Sequence, residues 1–317
     1  HASLNRITRW EQDLIKDDWG KYIYIKDENT GEIWSPSWKP LCKKPQEFKV
    51  RHGQGYSIFE TRYFDIETKL TMFVAKDDPI EIWHLNIKNV SNKSRKLSTF
   101  TYLEWNLGAA PDWHREFHKT FIETSLLNNL NCITAEKRMW EIPNEKGQNW
   151  NRSWEYIAFH AVNEKVSGAE GSKEKFIGRY NSLLNPRAVI TSKLSNTFGK
   201  WEDSIASLNN EIFLEPGEEK TLIFLLGAVK KTDEKENLTS LIKKYQNEQN
   251  VKNELDKVKK MWDEMFSKFT VETPDKGFDF LINRWLKYQA ISGRLWGRTA
   301  YYQTGGAYGF RDQLQDS

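Results

Sequence analysis

The final segment of the chain combines side chains that are suited to holding a sugar. Residues 303–317 read QTGGAYGFRDQLQDS and place Arg311 beside Asp312, after three glycines and Tyr308. A guanidinium fork donates hydrogen bonds and a carboxylate accepts them, so the pair can hold neighbouring hydroxyl groups that do both. The glycines allow a close backbone approach, and the tyrosine offers a flat ring. These residues suggest a carbohydrate-binding segment.

The same segment also has a simpler structural interpretation. A glycine-rich turn followed by a helix start would make Asp312 a helix cap and would place Arg311 in a salt bridge. Composition alone favours this second interpretation. The 14 tryptophans of the chain leave the same choice open, because their rings either fill a core or stack on sugar faces.

Composition places the chain among soluble globular proteins. Its 317 residues exceed the usual size of one domain, and 38% of them are hydrophobic and 29% charged. A formal net charge of +3 is too small to indicate a nucleic-acid partner, and no apolar run has the roughly 20 residues of a membrane-spanning helix. Cys42 and Cys132 fit neither a disulfide framework nor a metal site. We therefore predict free thiols and a cytoplasmic protein without nucleic-acid or membrane partners.

Short strand-like runs dominate the first two thirds of the chain. Residues 21–34, KYIYIKDENTGEIW, predict a hairpin that turns at residues 29–31. Further runs rich in β-branched and aromatic residues are separated by Gly, Pro, Asn, Asp and Ser. These runs are 68–75, 83–88, 96–105, 156–162 and 221–229. Many strands with no helices between them predict a large antiparallel β-sandwich over residues 1–232.

Helical periodicity replaces this pattern near residue 230. Two apolar stripes with helical spacing predict two helices, which we interpret as a linker over residues 233–270. The first stripe is Leu238, Leu241, Ile242 and Tyr245, and the second is Val251, Leu255, Val258, Trp262, Met265 and Phe269.

A third helix is expected to open a new unit over residues 271–317. Thr273 is its predicted N-cap, and Pro274 suits its first position. Its predicted buried face is Phe278, Leu281, Ile282, Trp285 and Leu286. A unit of about forty residues cannot bury such a face by itself.

Residues 305–316, GGAYGFRDQLQD, resemble the sequence that opens the catalytic domain of glycoside hydrolase family 94. This family contains inverting phosphorylases typified by cellobiose phosphorylase, and a related domain of cyclic β-1,2-glucan synthases. The resemblance extends upstream, in the same order, through LNRITRW, KYIYIKD, IWSPSWKP, RHGQGY and LEPGEEKTLIFLLG. It implies a β-rich α+β fold with a large antiparallel β-sandwich, a helical linker and the first elements of an (α/α)6 barrel.

The resemblance also implies an activity. A family member of this kind cleaves a β-linked gluco-disaccharide or oligosaccharide with inorganic phosphate and releases α-glucose 1-phosphate. A carboxylic acid protonates the leaving oxygen while phosphate, a co-substrate, attacks C1 from the opposite face. No cofactor is implied, a homodimer is expected, and the general-acid Asp is expected after Ser317, so no catalytic residue is expected within the chain. The alternative is a carbohydrate-binding or structural portion of a cyclic β-1,2-glucan synthase.

Substrate-binding residues follow from the same resemblance. It assigns the −1 glucosyl unit to Arg311, Asp312 and the upstream Arg298, and Gln303 and Tyr308 are further candidates. Cellobiose phosphorylases carry another Arg in the glycine loop, about where this chain has a glycine. This departure favours a β-1,2-glucan or glucosyl-acid substrate over cellobiose.

Other polar residues give weaker signals. Asn151 and Arg152 lie in a Trp-rich excursion between strands, residues 139–156, and such loops in the family can reach the acceptor side of a partner's site; a surface hairpin is the alternative. His114 and His118 have the i, i+4 spacing of a zinc pair on a helix, but no third ligand is evident, so we expect packing and no metal. Glu104 and Asp112 are acidic but fall in the predicted sandwich, where the family has no chemistry.

Overall fold

The structure is a computed structural model that describes residues 5–10, 15–16, 18–108, 119–139, 143–147 and 153–292. Within these residues two antiparallel sheets pack face to face. The first has six strands. Along the sheet these are β12 (Gly168–Ser172), β13 (Ser204–Leu214), β8 (Arg95–Gly108), β2 (Tyr22–Asp27) and β3 (Ile33–Trp34), and β1 (Arg6–Thr8) pairs with the end of β8.

The second sheet has eight strands. In spatial order they are β4 (Glu47–Gly53), β5 (Tyr56–Tyr63), β6 (Ile66–Val74), β7 (Ile80–Asn89), β14 (Glu219–Lys230), β11 (Tyr156–Val162), β10 (Cys132–Lys137) and β9 (Ile122–Leu127). Every run that the sequence pattern assigned to a strand lies largely within one of these strands. The predicted hairpin over residues 21–34 forms β2 and β3. The antiparallel β-sandwich is therefore confirmed.

Helices cover part of each outer face of the sandwich, which explains why its central strands are so apolar. In β2, Ile23 and Ile25 point into the core between the sheets, whereas Tyr22 and Tyr24 point outward and are also buried. Two five-residue helices, α1 (Lys173–Ile177) and α2 (Arg187–Thr191), cover these tyrosines. The prediction of no helices between the strands is wrong here, because five residues are too few to show a helical period.

The predicted linker helices cover the other outer face. They are α3 (Glu234–Gln246) and α4 (Glu248–Phe266), which pack on the eight-stranded sheet. All four residues of the first predicted stripe are buried. The second stripe is wrong at its end: α4 stops at Phe266, which is buried, and Phe269 lies beyond it with 64% of its surface exposed.

The third helix begins later than its sequence suggests. Asp275 is the N-cap, because its Oδ1 accepts hydrogen bonds from the backbone N–H groups of Gly277 at 2.8 Å and Phe278 at 3.1 Å. The predicted cap, Thr273, instead binds the carboxylate of Asp279 at 2.8 Å. The helix consists of α5 (Lys276–Phe280), a π-helical turn (Leu281–Trp285) and α6 (Leu286–Gln289).

The apolar face of this third helix stays largely uncovered by the described residues. Four of its five predicted core positions are exposed: Phe278, Leu281, Trp285 and Leu286. Residues 293–317 of the same unit lie outside the described residues, so that the unit cannot bury this face by itself stays a prediction. That it begins a barrel remains a prediction, as do the unit boundaries at 232/233 and 270/271.

A polar chain crosses the core between the two sheets at His160 of β11. The ring is fully buried, and its Nδ1 lies 3.0 Å from the Leu225 carbonyl oxygen, which can only accept a hydrogen bond. Nε2 therefore accepts from the Thr101 hydroxyl on β8, at 2.9 Å. Burial lowers the pKa of His160 to about 3, despite the opposite effect of the bond to Leu225.

Charged side chains alternate in sign across the solvent-facing side of β4 to β7 and β14. Strand register aligns one row of five residues whose charges alternate: Glu47, Arg62, Glu67, Lys88 and Glu219. Two positions along the strands, a second row begins with Lys49, Glu60 and Lys69. We call these the charge rows. Opposite charges on facing strands stabilise a sheet.

Both cysteines are free, as the sequence indicated. Cys42 is exposed and Cys132 is fully buried in β10. In the described part of the chain, no helix is long and apolar enough to cross a membrane.

Candidate functional site

The residues that the sequence assigned to sugar binding lie outside the described residues. These are Arg298, Gln303, Tyr308, Arg311, Asp312, Asn151 and Arg152, and the same holds for Asp112, His114 and His118. The structure does describe the end of the sandwich from which the 139–156 excursion departs. We call this the loop end: it is formed by residues 5–10, 104–108, 137–139 and 153–156.

The chain leaves β10 and enters β11 at adjacent points of the loop end. The Met139 N–H donates to Ser153 Oγ at 3.1 Å, and the Trp154 N–H donates to the Lys137 carbonyl oxygen at 3.2 Å. The indole Nε1 of Trp154 donates to Asn5 Oδ1 at 3.1 Å. We call the first and last residues of the excursion, near Met139 and Ser153, its stem. These bonds join the stem to the strand beside it and to the amino-terminal segment.

A buried lysine lies at the base of this stem. Lys137 points inward at the end of β10, and its Nζ donates to the Asn106 carbonyl oxygen at 3.4 Å. Burial lowers the pKa of Lys137 to about 8, because the charged ammonium loses hydration. A lysine that titrates so close to neutral pH can exchange a proton as well as donate hydrogen bonds.

A carboxylate with two cationic partners lies nearby on β8. Glu104, 6% exposed, pairs with Arg9 Nη1 at 3.1 Å and with Lys173 Nζ at 2.6 Å, and it accepts from the Tyr102 hydroxyl at 2.8 Å. The Arg9 guanidinium also lies 3.9 Å from the centre of the Trp19 ring. With its oxygens already engaged, Glu104 anchors the amino-terminal segment and α1 to β8. This supports the interpretation of Glu104 as a structural residue.

A cavity of about 610 Å³ lies between the loop end and α3. Its volume is within the usual range of small-molecule sites. Its wall combines apolar and aromatic groups with a few polar ones, among them Asn5, Ile7, Trp154 and Tyr156 from the sandwich and Ser240 and Lys244 from α3. Such a mixture can hold a sugar-sized ligand. Sequence reasoning missed these residues, because Asn5 and Trp154 are 149 positions apart.

The side chains that the structure describes form no metal-binding site. Over those ranges, no three His, Cys, Asp or Glu side chains are arranged as metal ligands would be.

Two family models match consecutive parts of the chain. Residues 1–248 match the supersandwich domain of glycosyl hydrolase 94, and residues 261–317 match the catalytic domain of the glycosyl hydrolase 94 superfamily. The chain belongs to glycosyl hydrolase family 94. This confirms the resemblance that GGAYGFRDQLQD and the upstream motifs indicated.

Family relatives match nearly the whole chain but are much longer. An N,N'-diacetylchitobiose phosphorylase from Vibrio proteolyticus is 30% identical over 99% of this chain and 38% of its own length. A cyclic β-(1,2)-glucan synthase, NdvB, from Rhizobium meliloti is 30% identical over 98% of this chain and 10% of its own. A solabiose phosphorylase from Paenibacillus borealis is 28% identical over 94% of this chain and 36% of its own. The chain thus spans less than two fifths of each of these relatives.

A solved structure supports the fold alone. A bacterial glucoamylase complexed with acarbose aligns with a TM-score of 0.51 at 10% identity, over 91% of this chain and 42% of that one. The β-rich architecture is therefore shared with that structure.

Proposed function

We propose that this chain is the amino-terminal part of an inverting glycoside phosphorylase. The enzyme would cleave a β-linked gluco-disaccharide or oligosaccharide with inorganic phosphate and release α-glucose 1-phosphate. The observation that carries this proposal is the ordered match of both family 94 domain models. Phosphorylases 28–30% identical over nearly the whole chain support it.

The roles of the proposed site residues follow from their chemistry. Arg311, Asp312 and Arg298 hold the hydroxyls of the −1 glucosyl unit, and Gln303 and Tyr308 complete its contacts. Phosphate then replaces the water of an inverting hydrolase, so the site needs cations and hydroxyl donors more than a second carboxylate. The general acid comes from residues that follow Ser317 in the family.

The acceptor side is proposed to involve a second subunit. In a homodimer, Asn151 and Arg152 of one subunit would contact the acceptor sugar in the site of its partner. A closed two-fold assembly is the commonest oligomer. Light scattering of the intact protein at micromolar concentration should give the mass of a dimer in a cytoplasm-like buffer, and a purely monomeric mass contradicts this proposal.

Phosphate release tests the activity directly. The intact protein is incubated with α-glucose 1-phosphate and a panel of acceptors: glucose, N-acetylglucosamine, gluconate, glucuronate and β-1,2-gluco-oligosaccharides. We expect phosphate release with at least one acceptor, together with a β-linked product detected by NMR. Absence of phosphate release with every acceptor, and of phosphorolysis of the corresponding glucosides, would contradict the proposal.

The role of Asp312 is tested by Asp312→Asn, with Asp316→Asn as the matched control in the same segment. The amide keeps the shape but loses charge-assisted hydrogen bonds, each worth roughly 1.5–3 kcal/mol, so kcat/KM should fall by roughly 10-fold to 150-fold. A loss in kcat as well as in KM is expected, since these bonds strengthen in the transition state. If activity is retained, or is lost only together with the melting temperature, Asp312 is a helix cap.

A second candidate function is the carbohydrate-binding or structural portion of a cyclic β-1,2-glucan synthase. The 30% identity to NdvB over 98% of this chain favours it. A gene product that also carries a glycosyltransferase region, and that releases no phosphate from α-glucose 1-phosphate, would support this alternative.

A further inference from the structure

An exposed tryptophan in a strained backbone conformation lies between α2 and β13. Trp201 has φ of +72° and exposes 72% of its surface. A bulky side chain at positive φ costs conformational energy, which persists only where the surrounding structure holds the backbone in place. A loose surface loop would relax to an ordinary conformation.

Backbone hydrogen bonds attach the loop to both sheets. Gly199 and Thr124 of β9 exchange two bonds, with N···O distances of 3.0 and 3.1 Å. The Gly171 N–H of β12 donates to the Thr197 carbonyl oxygen at 2.9 Å. The Ala169 N–H, also in β12, donates to Asn196 Oδ1 at 3.0 Å. The residues just before Trp201 are thus fixed on two sides.

A buried carboxylate strengthens this attachment. Glu170 is fully buried, and its Oε2 accepts from both the N–H and the hydroxyl of Ser195, the former at 2.8 Å. Its Oε1 accepts from the N–H groups of Gly171 and Ser172, both at 3.1 Å. A desolvated carboxylate with four hydrogen bonds is a strong, directional anchor. The exposure of Trp201 therefore belongs to a rigid loop that presents its ring to solvent.

The charges beside Trp201 indicate what this ring can bind. Lys200 pairs with Glu123 at 3.5 Å, and Lys119 pairs with Asp203 at 2.8 Å. Each of these cations has a carboxylate partner, so they do not form the positive surface that a polyanion requires. The residues next to Trp201 in sequence, Lys200 and Glu202, are charged, and an apolar protein interface needs a wider apolar patch than one ring. A flat ring among hydrogen-bonding groups suits a neutral ligand with apolar faces and many hydroxyls.

We propose that Trp201 is a stacking platform for a neutral saccharide, with the adjoining ion-paired side chains binding its hydroxyls. The choice of saccharide as ligand class rests on the proposed function as well as on this chemistry. The rigid loop is part of the mechanism, because a ring that is already in place loses little entropy when the ligand binds.

Binding is tested on the intact protein by isothermal titration with three named probes: cellopentaose, a β-1,2-glucopentaose and chitopentaose. Trp201→Ala removes the ring, and Trp201→Gly removes it in a backbone that suits φ of +72°, so at least one ring-free variant should fold. Trp201→Phe keeps an aromatic face. Trp38→Ala is the control, since Trp38 is also exposed, at 46%, but lies at a different place, beside Phe48.

We expect at least one probe to bind the wild type and both ring-free variants to bind it at least 10-fold more weakly. Trp201→Phe should retain affinity within about 5-fold, and Trp38→Ala should bind as the wild type does. The inference is overturned if no probe binds the wild type, if ring-free variants bind equally well, or if their only change is a smaller mass in light scattering, which would make Trp201 a subunit contact.

The phosphate-release assay separates this inference from the proposed function. Loss of saccharide affinity in the ring-free variants, with no phosphorylase activity in the wild type, would support the stacking role and refute the phosphorylase. Phosphate release by a wild type that binds no probe would support the phosphorylase and refute the stacking role.

Discussion

Acid should destabilise this protein through His160. In the folded state the pKa of this residue is about 3, because the ring is fully buried, whereas an unfolded chain has the ordinary value near 6.5. As the pH falls through 6.5, the unfolded state takes up a proton that the folded state does not, so the free energy of unfolding decreases. The decrease continues until the pH reaches the folded pKa.

The size of this effect follows from the two pKa values. Linkage gives a loss of about 2 kcal/mol between pH 7 and pH 5 from this residue alone, and about 4 kcal/mol by pH 3. A typical domain has only about 5–15 kcal/mol of stability in total, so this one buried imidazole can lower the free energy of unfolding by a large fraction on acidification.

Urea unfolding at pH 7 and pH 5 measures this loss. His160→Gln does not titrate in this range, and its amide can still donate to Leu225 and accept from Thr101. The stability difference between the two pH values should therefore be about 2 kcal/mol smaller in the variant, because all other titrating groups are common to both proteins. His52→Gln, at an exposed histidine, is the matched control for the loss of one imidazole. Equal pH dependence in wild type and His160→Gln would refute the reasoning.

Three further substitutions test how the sandwich is held together. Gly171→Ala should cost roughly 1–3 kcal/mol in urea unfolding, because its Cβ would lie 2.8 Å from the Thr197 carbonyl oxygen; an unchanged midpoint would contradict the tight contact. Arg95→Leu should cost roughly 3–5 kcal/mol by leaving the fully buried Asp27 without its guanidinium partner, and adding Asp27→Asn should recover part of the loss, as thermal melting can show. Glu60→Lys should destabilise by about 1 kcal/mol at low salt and less at high salt, since it sets cations beside the cations of β4 and β6; a salt-independent change would exclude a charge effect.

The fold was largely predictable because its strands carry local signals. The run around Leu222 and Leu225 reads as a strand from its own composition, and the stripe of α3 reads as a helix from its own spacing. Where a boundary depended on competing caps, local signals failed. Thr273 and Asp275 are both good N-cap residues, and only the three-dimensional structure shows that the aspartate binds the free N–H groups.

The candidate site was less predictable, for a physical reason. Lys137 approaches Asn106 and Trp154 approaches Asn5 only after both sheets have formed, so no local pattern reveals these contacts. The strain at Trp201 was equally invisible, because a tryptophan in sequence gives no sign of a positive φ. Arg311 and Asp312 were found by a motif, lie outside the described residues, and stay a prediction.

The charge rows disfavour an error in strand register that the hydrophobic pattern alone allows. A strand that slips by one residue exposes its core side chains, but a slip by two residues keeps every side chain on its proper face. If β5 slipped by two on β4, Glu47 would face Glu60, or, in the other direction, Lys49 would face Arg62. The same is true of β6 on β5, where a slip in either direction sets like charges opposite each other. The charges on the solvent-facing side of the sheet therefore help to select the correct strand register during folding. They disfavour registers shifted by two residues, which the packing of the core alone would allow.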